Sequence, residues 1–226
     1  MNILLLGATG SIGRSVLSVI NQNNSELSLF GIAFNKNTIE ANNIVKNFAP
    51  SYVYIDDYGT FRNQNPTIKT KYINGDSALA DLINHEDVDI IICAISGFAG
   101  LKAAYIAAST GKKILLANKE SIVAGGDIIL PLAKSNNSEI IPIDSEHNAI
   151  FQCLLGEDDT KDVKKITITA SGGPFLNKKL SELKNVSKSE ALNHPNWKMG
   201  SKVTIDSATL VNKCLELIEA KYLFEL

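Results

Sequence analysis

Met1-Asn2-Ile3-Leu4-Leu5-Leu6-Gly7-Ala8-Thr9-Gly10-Ser11-Ile12-Gly13 opens the chain. Residues 3–6 are continuously apolar, as a strand buried on both faces requires. Three glycines follow, and then Ile12, Val16, Val19 and Ile20 recur at helical spacing. A strand that turns through glycines into a helix brings free backbone N–H groups and a positive helix end to the turn, where a pyrophosphate can bind. The spacing is G-x-x-G-x-x-G, a variant of the dinucleotide-binding fingerprint. Read alone, it is also a plain glycine turn between strand and helix. The segment has no basic region ahead of its apolar run, so it reads as a first strand rather than a signal peptide.

Working outward, apolar runs at 3–6, 27–34, 52–55, 88–95, 113–116 and 139–143 read as strands. Helical patterns lie between several of them, at 39–48, 78–83, 101–108 and 128–133. This alternation predicts an α/β fold, a Rossmann-like parallel sheet with helices on both faces, over residues 1–143. The texture then changes. A short helix at 147–155, a strand at 165–170, a polar stretch, a loop around 193–201 and a final helix from about Ser207 to the end predict a second, α+β domain over residues 144–226.

Composition narrows the function. At 45% hydrophobic and 20% charged, the 226-residue chain is ordinary for a globular protein. A formal net charge of -2 gives no bulk attraction to nucleic acid or to an anionic membrane. No run approaches the roughly 20 apolar residues that span a bilayer. Cys93, Cys153 and Cys214 are widely spaced, so neither a disulfide scaffold nor a zinc site is expected, and a reducing cytoplasm fits.

The end of the second strand carries the cofactor choice. An NAD site usually places an acid there for the ribose hydroxyl. This chain has Phe34-Asn35-Lys36-Asn37, and a lysine there attracts a 2′-phosphate, which points to NADP(H); read alone, Lys36 is also a solvated loop residue. Asp144 and Glu146 follow the strand at 139–143 and share a face if its geometry continues. Two such carboxylates repel unless a proton or cation lies between them, and oxygen ligands suit Mg2+ or Mn2+. The competing reading is a charged turn. Near the C-terminus Asn212, Lys213 and Glu216 cluster on one helical face. Glu216 is then either a third metal ligand, with Asn212 and Lys213 on a phosphate or hydroxyl, or the partner of Lys213 in a surface ion pair.

Five longer stretches bear on these alternatives: Leu116-Ala117-Asn118-Lys119-Glu120, residues 142–152 (PIDSEHNAIFQ), Ser171-Gly172-Gly173-Pro174-Phe175, residues 194–200 (HPNWKMG) and residues 202–220 (KVTIDSATLVNKCLELIEA). In these stretches and their order the chain resembles the 1-deoxy-D-xylulose 5-phosphate reductoisomerase family, from Met1 onward. The resemblance implies an NADPH- and divalent-metal-dependent enzyme of the non-mevalonate isoprenoid route. It would rearrange and reduce a ketose phosphate to 2-C-methyl-D-erythritol 4-phosphate, in the cytoplasm and as a homodimer.

The resemblance also implies residue roles. Thr9, Gly10, Ser11 and Ile12 would line the NADPH pyrophosphate; Asn35, Lys36 and Asn37 its 2′-phosphate end; Asn118, Glu120 and Gly200 further parts of the cofactor. Asp144, Glu146 and Glu216 would hold Mg2+ or Mn2+. Lys119, Ser145, Glu146, Ser171, His194, Ser207, Asn212, Lys213 and Glu216 would meet the sugar phosphate, with Lys119 and Glu146 acting in catalysis. Trp197 and Met199 would belong to a lid, and His147 would stand beside the metal ligands without being one. Cys214 departs from the family, which usually has glycine there. The family continues past Leu226 into a linker and a helical domain, so the second domain is expected to be incomplete. Two rivals remain: an NADP-binding module without catalysis, and a metal-independent NADP dehydrogenase, neither of which needs three separated carboxylates.

Overall fold

The computed structural model describes residues 1–56, 61, 63–64, 66–156, 163–197 and 199–225. These fall into two compact units, Met1–Asp144 and Ser145–Leu226.

The first unit is built on seven parallel strands: β1 (Asn2–Leu6), β2 (Ser28–Phe34), β3 (Tyr52–Ile55), β4 (Lys71–Ile73), β5 (Ile90–Cys93), β6 (Lys113–Leu116) and β7 (Glu139–Pro142). Their order across the sheet is β4-β3-β2-β1-β5-β6-β7. β1 lies centrally, pairing with β2 on one edge and β5 on the other. The chain order reverses there, so the carboxyl end of β1 faces the crevice where open α/β sheets bind ligands. Leu4, Leu5 and Leu6 are fully buried although neighbouring side chains point to opposite faces. Both faces are therefore covered, and each such leucine contributes about 1.5–3 kcal/mol. Covering helices in this unit include α1 (Ser11–Gln22), α2 (Thr38–Phe48), α3 (Asp76–Asn84), α4 (Leu101–Ala108) and α5 (Lys119–Ser135).

Two features of this unit differ from expectation. β4 is an extra edge strand of three residues, Lys-Tyr-Ile, too short to show a period. The helix expected over 128–133 begins at Lys119 instead. Gly125 and Gly126 break the apolar pattern, and the helix passes through them with a kink at Gly125 (φ -142°, ψ 16°). A Cβ on Gly125 would lie 2.9 Å from Leu101 Cδ1, so this glycine permits close approach to α4. α4 answers with four buried alanines, Ala103, Ala104, Ala107 and Ala108.

The second unit contains α6 (Ser145–Cys153), α7 (Lys188–Ala191), α8 (Ser201–Ala208) and α9 (Val211–Leu223). The strand expected over 165–170 is a correction. The alternation survives in the burial, with Ile166 and Ile168 half-buried between exposed Lys165, Thr167 and Thr169. Yet no ladder forms along it, because the described residues of this unit offer no second strand to pair with. The single helix expected from Ser207 to the end is two helices, broken at Leu210 in a left-handed conformation (φ 62°). Its expected last residue, Leu226, lies outside the described residues. Among the described residues no helix is long and apolar enough to cross a membrane. Burial pushes the Cys93 thiol up to about 12, leaving it inert, while Cys153 and Cys214 are exposed.

Candidate functional site

In the first unit the glycine turn divides its labour. Gly7 has φ +92°, and a Cβ there would stand 2.4 Å from the Ala94 carbonyl oxygen; one on Gly13 would stand 2.3 Å from that of Ala8. Those two glycines let the turn, β5 and α1 approach one another. Gly10 is exposed and caps α1 with no side-chain hydrogen bond, and the first turn of α1 has no acidic residue. The helix start therefore keeps its positive end and backbone donors for an anion, with Thr9, Ser11 and Ile12 around it. By contrast, α2 and α5 are capped by Asn37 and Asn118.

At the end of β2, Asn35, Lys36 and Asn37 are all exposed. Asn37 has a local task, accepting from the Glu40 N–H at 3.2 Å. Asn118 is only 2% exposed, and its amide donates to the Ile95 and Gly97 carbonyls at 2.7 and 2.9 Å and to Glu120. It braces the loop after β5 and leaves Glu120 half-buried in the same turn. Lys119 pairs with Asp144 at 2.7 Å, where β7 ends.

In the second unit one cation gathers two carboxylates. Lys213 Nζ donates to Glu146 Oε1 at 2.8 Å, to Glu216 Oε2 and to the Thr169 carbonyl. Glu146 comes from the first turn of α6, and Lys213 and Glu216 from α9. Asn212 donates to the other oxygen of Glu216, and Ser145 Oγ donates to Glu146 at 2.5 Å. The helical face expected of Asn212, Lys213 and Glu216 is therefore present. Burial alone would raise the Glu146 pKa, but hydrogen bonds from Lys213 and Ser145, with the lysine's charge, hold it below the ordinary value. Burial likewise opposes the charge on Lys213, and its two carboxylate partners outweigh that and raise its pKa. At neutral pH the cluster is charged on both sides.

A second group lies around Ser171. His194 Nδ1 accepts the Asn196 and Trp197 backbone N–H groups at 3.2 and 3.0 Å, so the neutral ring carries its proton on Nε2. Nε2–H then donates to Ser171 Oγ at 3.0 Å, and the Gly173 N–H donates to the same oxygen at 3.2 Å. The serine hydroxyl is an acceptor twice over, so its own proton is left for another acceptor. This arrangement cannot activate Ser171 as a nucleophile, because the imidazole offers a donor where a base is needed. It suits an anion instead. Gly172 and Gly173 have φ +80° and +69°, and a Cβ on Gly173 would lie 2.9 Å from the Ser207 carbonyl, so this turn packs against the end of α8. Ser207 is half-buried there, Gly200 is exposed at the start of α8, and Trp197 and Met199 are exposed and half-buried.

Sequence reading passed over Glu219. It is fully buried with His147, the His147 Nδ1–Glu219 Oε2 distance being 3.3 Å. The signal was the E-x-x-E spacing of Glu216 and Glu219, which puts both carboxylates on one helical face.

Comparisons with known proteins converge. Residues 3–126 match the model of the 1-deoxy-D-xylulose 5-phosphate reductoisomerase family, and residues 140–224 match that of its C-terminal domain. A reductoisomerase of that name from Vesicomyosocius okutanii is 44% identical over all of this chain and 59% of its own length. One from Francisella tularensis subsp. novicida is 44% identical over 98% of this chain and 58% of its own. The chain thus spans about three-fifths of the length of these relatives. A crystal structure of DOX-P reductoisomerase with NADPH, fosmidomycin and magnesium superposes on the whole chain with a TM-score of 0.93 at 40% identity, covering 59% of that protein. The Zymomonas mobilis enzyme in complex with NADPH gives 0.87 at 37%, covering all of this chain and 58% of its own.

Proposed function

The chain belongs to the 1-deoxy-D-xylulose 5-phosphate reductoisomerase family, and from that premise we propose that it binds NADPH and a divalent cation and converts 1-deoxy-D-xylulose 5-phosphate to 2-C-methyl-D-erythritol 4-phosphate, in non-mevalonate isoprenoid precursor synthesis. One observation carries the reading: Glu146 and Glu216, from separate helices, converge on a shared cation, the Lys213 ammonium. Hard carboxylate oxygens that already accommodate positive charge fit Mg2+ or Mn2+. Asp144, two residues before Glu146, completes the proposed ligand set. The solved relative with magnesium supports Mg2+ in particular.

The bound cation would supply Lewis-acid stabilisation of negative charge on adjacent ketose oxygens. The chain's own groups do the rest. The uncapped start of α1 holds the NADPH pyrophosphate through Thr9, Gly10, Ser11 and Ile12, and Asn35, Lys36 and Asn37 take the 2′-phosphate end. Asn118 shapes the loop beside Glu120, and Gly200 adds backbone. The Ser171 hydroxyl, its lone pairs occupied by His194 and Gly173, donates its proton to a phosphate oxygen, joined by Ser207, Asn212 and Lys213. Ser145 steadies Glu146. Lys119, paired with Asp144, adds positive charge at the reacting oxygens. Residues 1–143 would serve as the cofactor domain and 144–226 as the metal and substrate domain, with Trp197 and Met199 in a closing segment. A cytoplasmic homodimer completes the reading.

The test mixes the chain with substrate and NADPH, with Mg2+ or with EDTA, and follows NADPH absorbance and product by NMR. Product that requires Mg2+ is expected. NADPH consumption indifferent to EDTA would favour a metal-independent dehydrogenase, and NADPH binding without product would favour a binding module.

A further inference from the structure

We propose that His147 and Glu219 form a buried brace that fixes the backbone of Glu216 opposite Glu146, and so act as positioning residues for cation binding; the inference rests on the reading of Glu146 and Glu216 as metal ligands. Both residues are fully buried. His147 directly follows Glu146 on α6, and Glu219 lies one turn beyond Glu216 on α9. The brace therefore joins the residue beside one carboxylate to the backbone that carries the other.

Its chemistry follows from the partners. His147 Nε2 stands 2.9 Å from the Glu216 carbonyl oxygen, and a carbonyl only accepts, so Nε2 carries a proton. That oxygen has two lone pairs and can take this bond beside a helical one. Nδ1 faces a Glu219 oxygen at 3.3 Å. Glu219 thereby sets the orientation of the imidazole, as carboxylates do for metal-ligating histidines, except that this histidine grips a ligand's backbone. The Phe224 ring stacks on His147 with centroids 6.3 Å apart and planes 7° from parallel, closing the outer side. Helix packing alone would be served by an apolar pair, so a buried donor aimed at the Glu216 carbonyl points to fixed register between α6 and α9.

The test measures Mn2+ affinity of the full chain by the free-ion paramagnetic resonance signal, beside circular dichroism and melting curves. His147→Leu removes the donor and should weaken Mn2+ binding about tenfold or more, the range seen when supporting hydrogen bonds around metal ligands are lost. His147→Gln places an amide nitrogen near the Nε2 position and should recover most of that loss. Glu219→Leu should weaken binding as well, and the double Leu variant should be no weaker than the worse single one. Unchanged affinity in His147→Leu, or equal weakening in the Leu and Gln variants, would overturn the brace. Failure of the unmodified chain to bind Mn2+ would overturn the metal reading itself, and the brace with it.

Discussion

At the scale of single residues, the glycine turn shows how far a motif can be read. Gly7, Gly10 and Gly13 are equivalent letters in the fingerprint. Only the folded structure separates them, because the carbonyls of Ala94 and Ala8 that crowd Gly7 and Gly13 come from packing, which no spacing rule records. Gly13→Ala should therefore lower the melting temperature, since overpacking against fixed backbone costs about 1–3 kcal/mol. Gly10→Ala should keep the fold and weaken NADPH binding. Thermal melts and fluorescence titration check both, and the reverse pattern would refute the division. Lys36 was legible as a choice between two cofactors, since an exposed lysine stands where an acid would hold a free ribose hydroxyl. Lys36→Ala should cost NADPH about 1.5–3 kcal/mol of binding, the worth of a charged hydrogen bond, and leave NADH unchanged. Equal losses for both cofactors would remove Lys36 from the 2′-phosphate.

At the scale of elements, β1, β2, β3, β5, β6 and β7 were legible because buried parallel strands are continuous apolar runs. β4 escaped because three residues carry no period, and the first half of α5 because Gly125 looks like a stop until the alanines of α4 are seen to need it. The stretch 165–170 alternates as a strand does, but a ladder takes two strands and its burial shows only one side of the bargain. The brace of His147 and Glu219 was invisible for the related reason that its residues lie 72 positions apart (219 − 147). α7 offers a prediction in pH. Its capping box, Ser187 with Glu190, is joined by Lys178, 2.6 Å from Glu190. The Lys178 hydrogen bond first, then those from Ser187, bring the Glu190 pKa from 4.5 to about 2. A carboxylate depressed in the folded state adds stability above its unfolded pKa and loses it as pH falls through its folded one. The contribution should thus be complete above pH 4.5 and gone near pH 2. Glu190→Gln should flatten the fall in melting temperature across that window. The exposure of this pair makes the effect small and sensitive to salt. An unchanged slope in the variant would remove Glu190 as its source.

At the scale of the whole chain, the proposed function divides its chemistry between the two units. In that proposal the uncapped start of α1 in the first unit would take a pyrophosphate, and in the second the paired carboxylates would take a cation and the Ser171 hydroxyl a phosphate. A phosphonate hydroxamate joins the last two requirements in one small molecule, because its hydroxamate presents two adjacent oxygens, as the ketose does, and its phosphonate mimics the phosphate. Calorimetric titration of such a compound into the chain, with Mg2+ present and after its removal, tests the central claim most directly. The account predicts tight binding with Mg2+ and its loss on chelation, with Glu216→Gln reproducing the loss while NADPH still binds. Equal inhibitor affinity with and without the metal would contradict it.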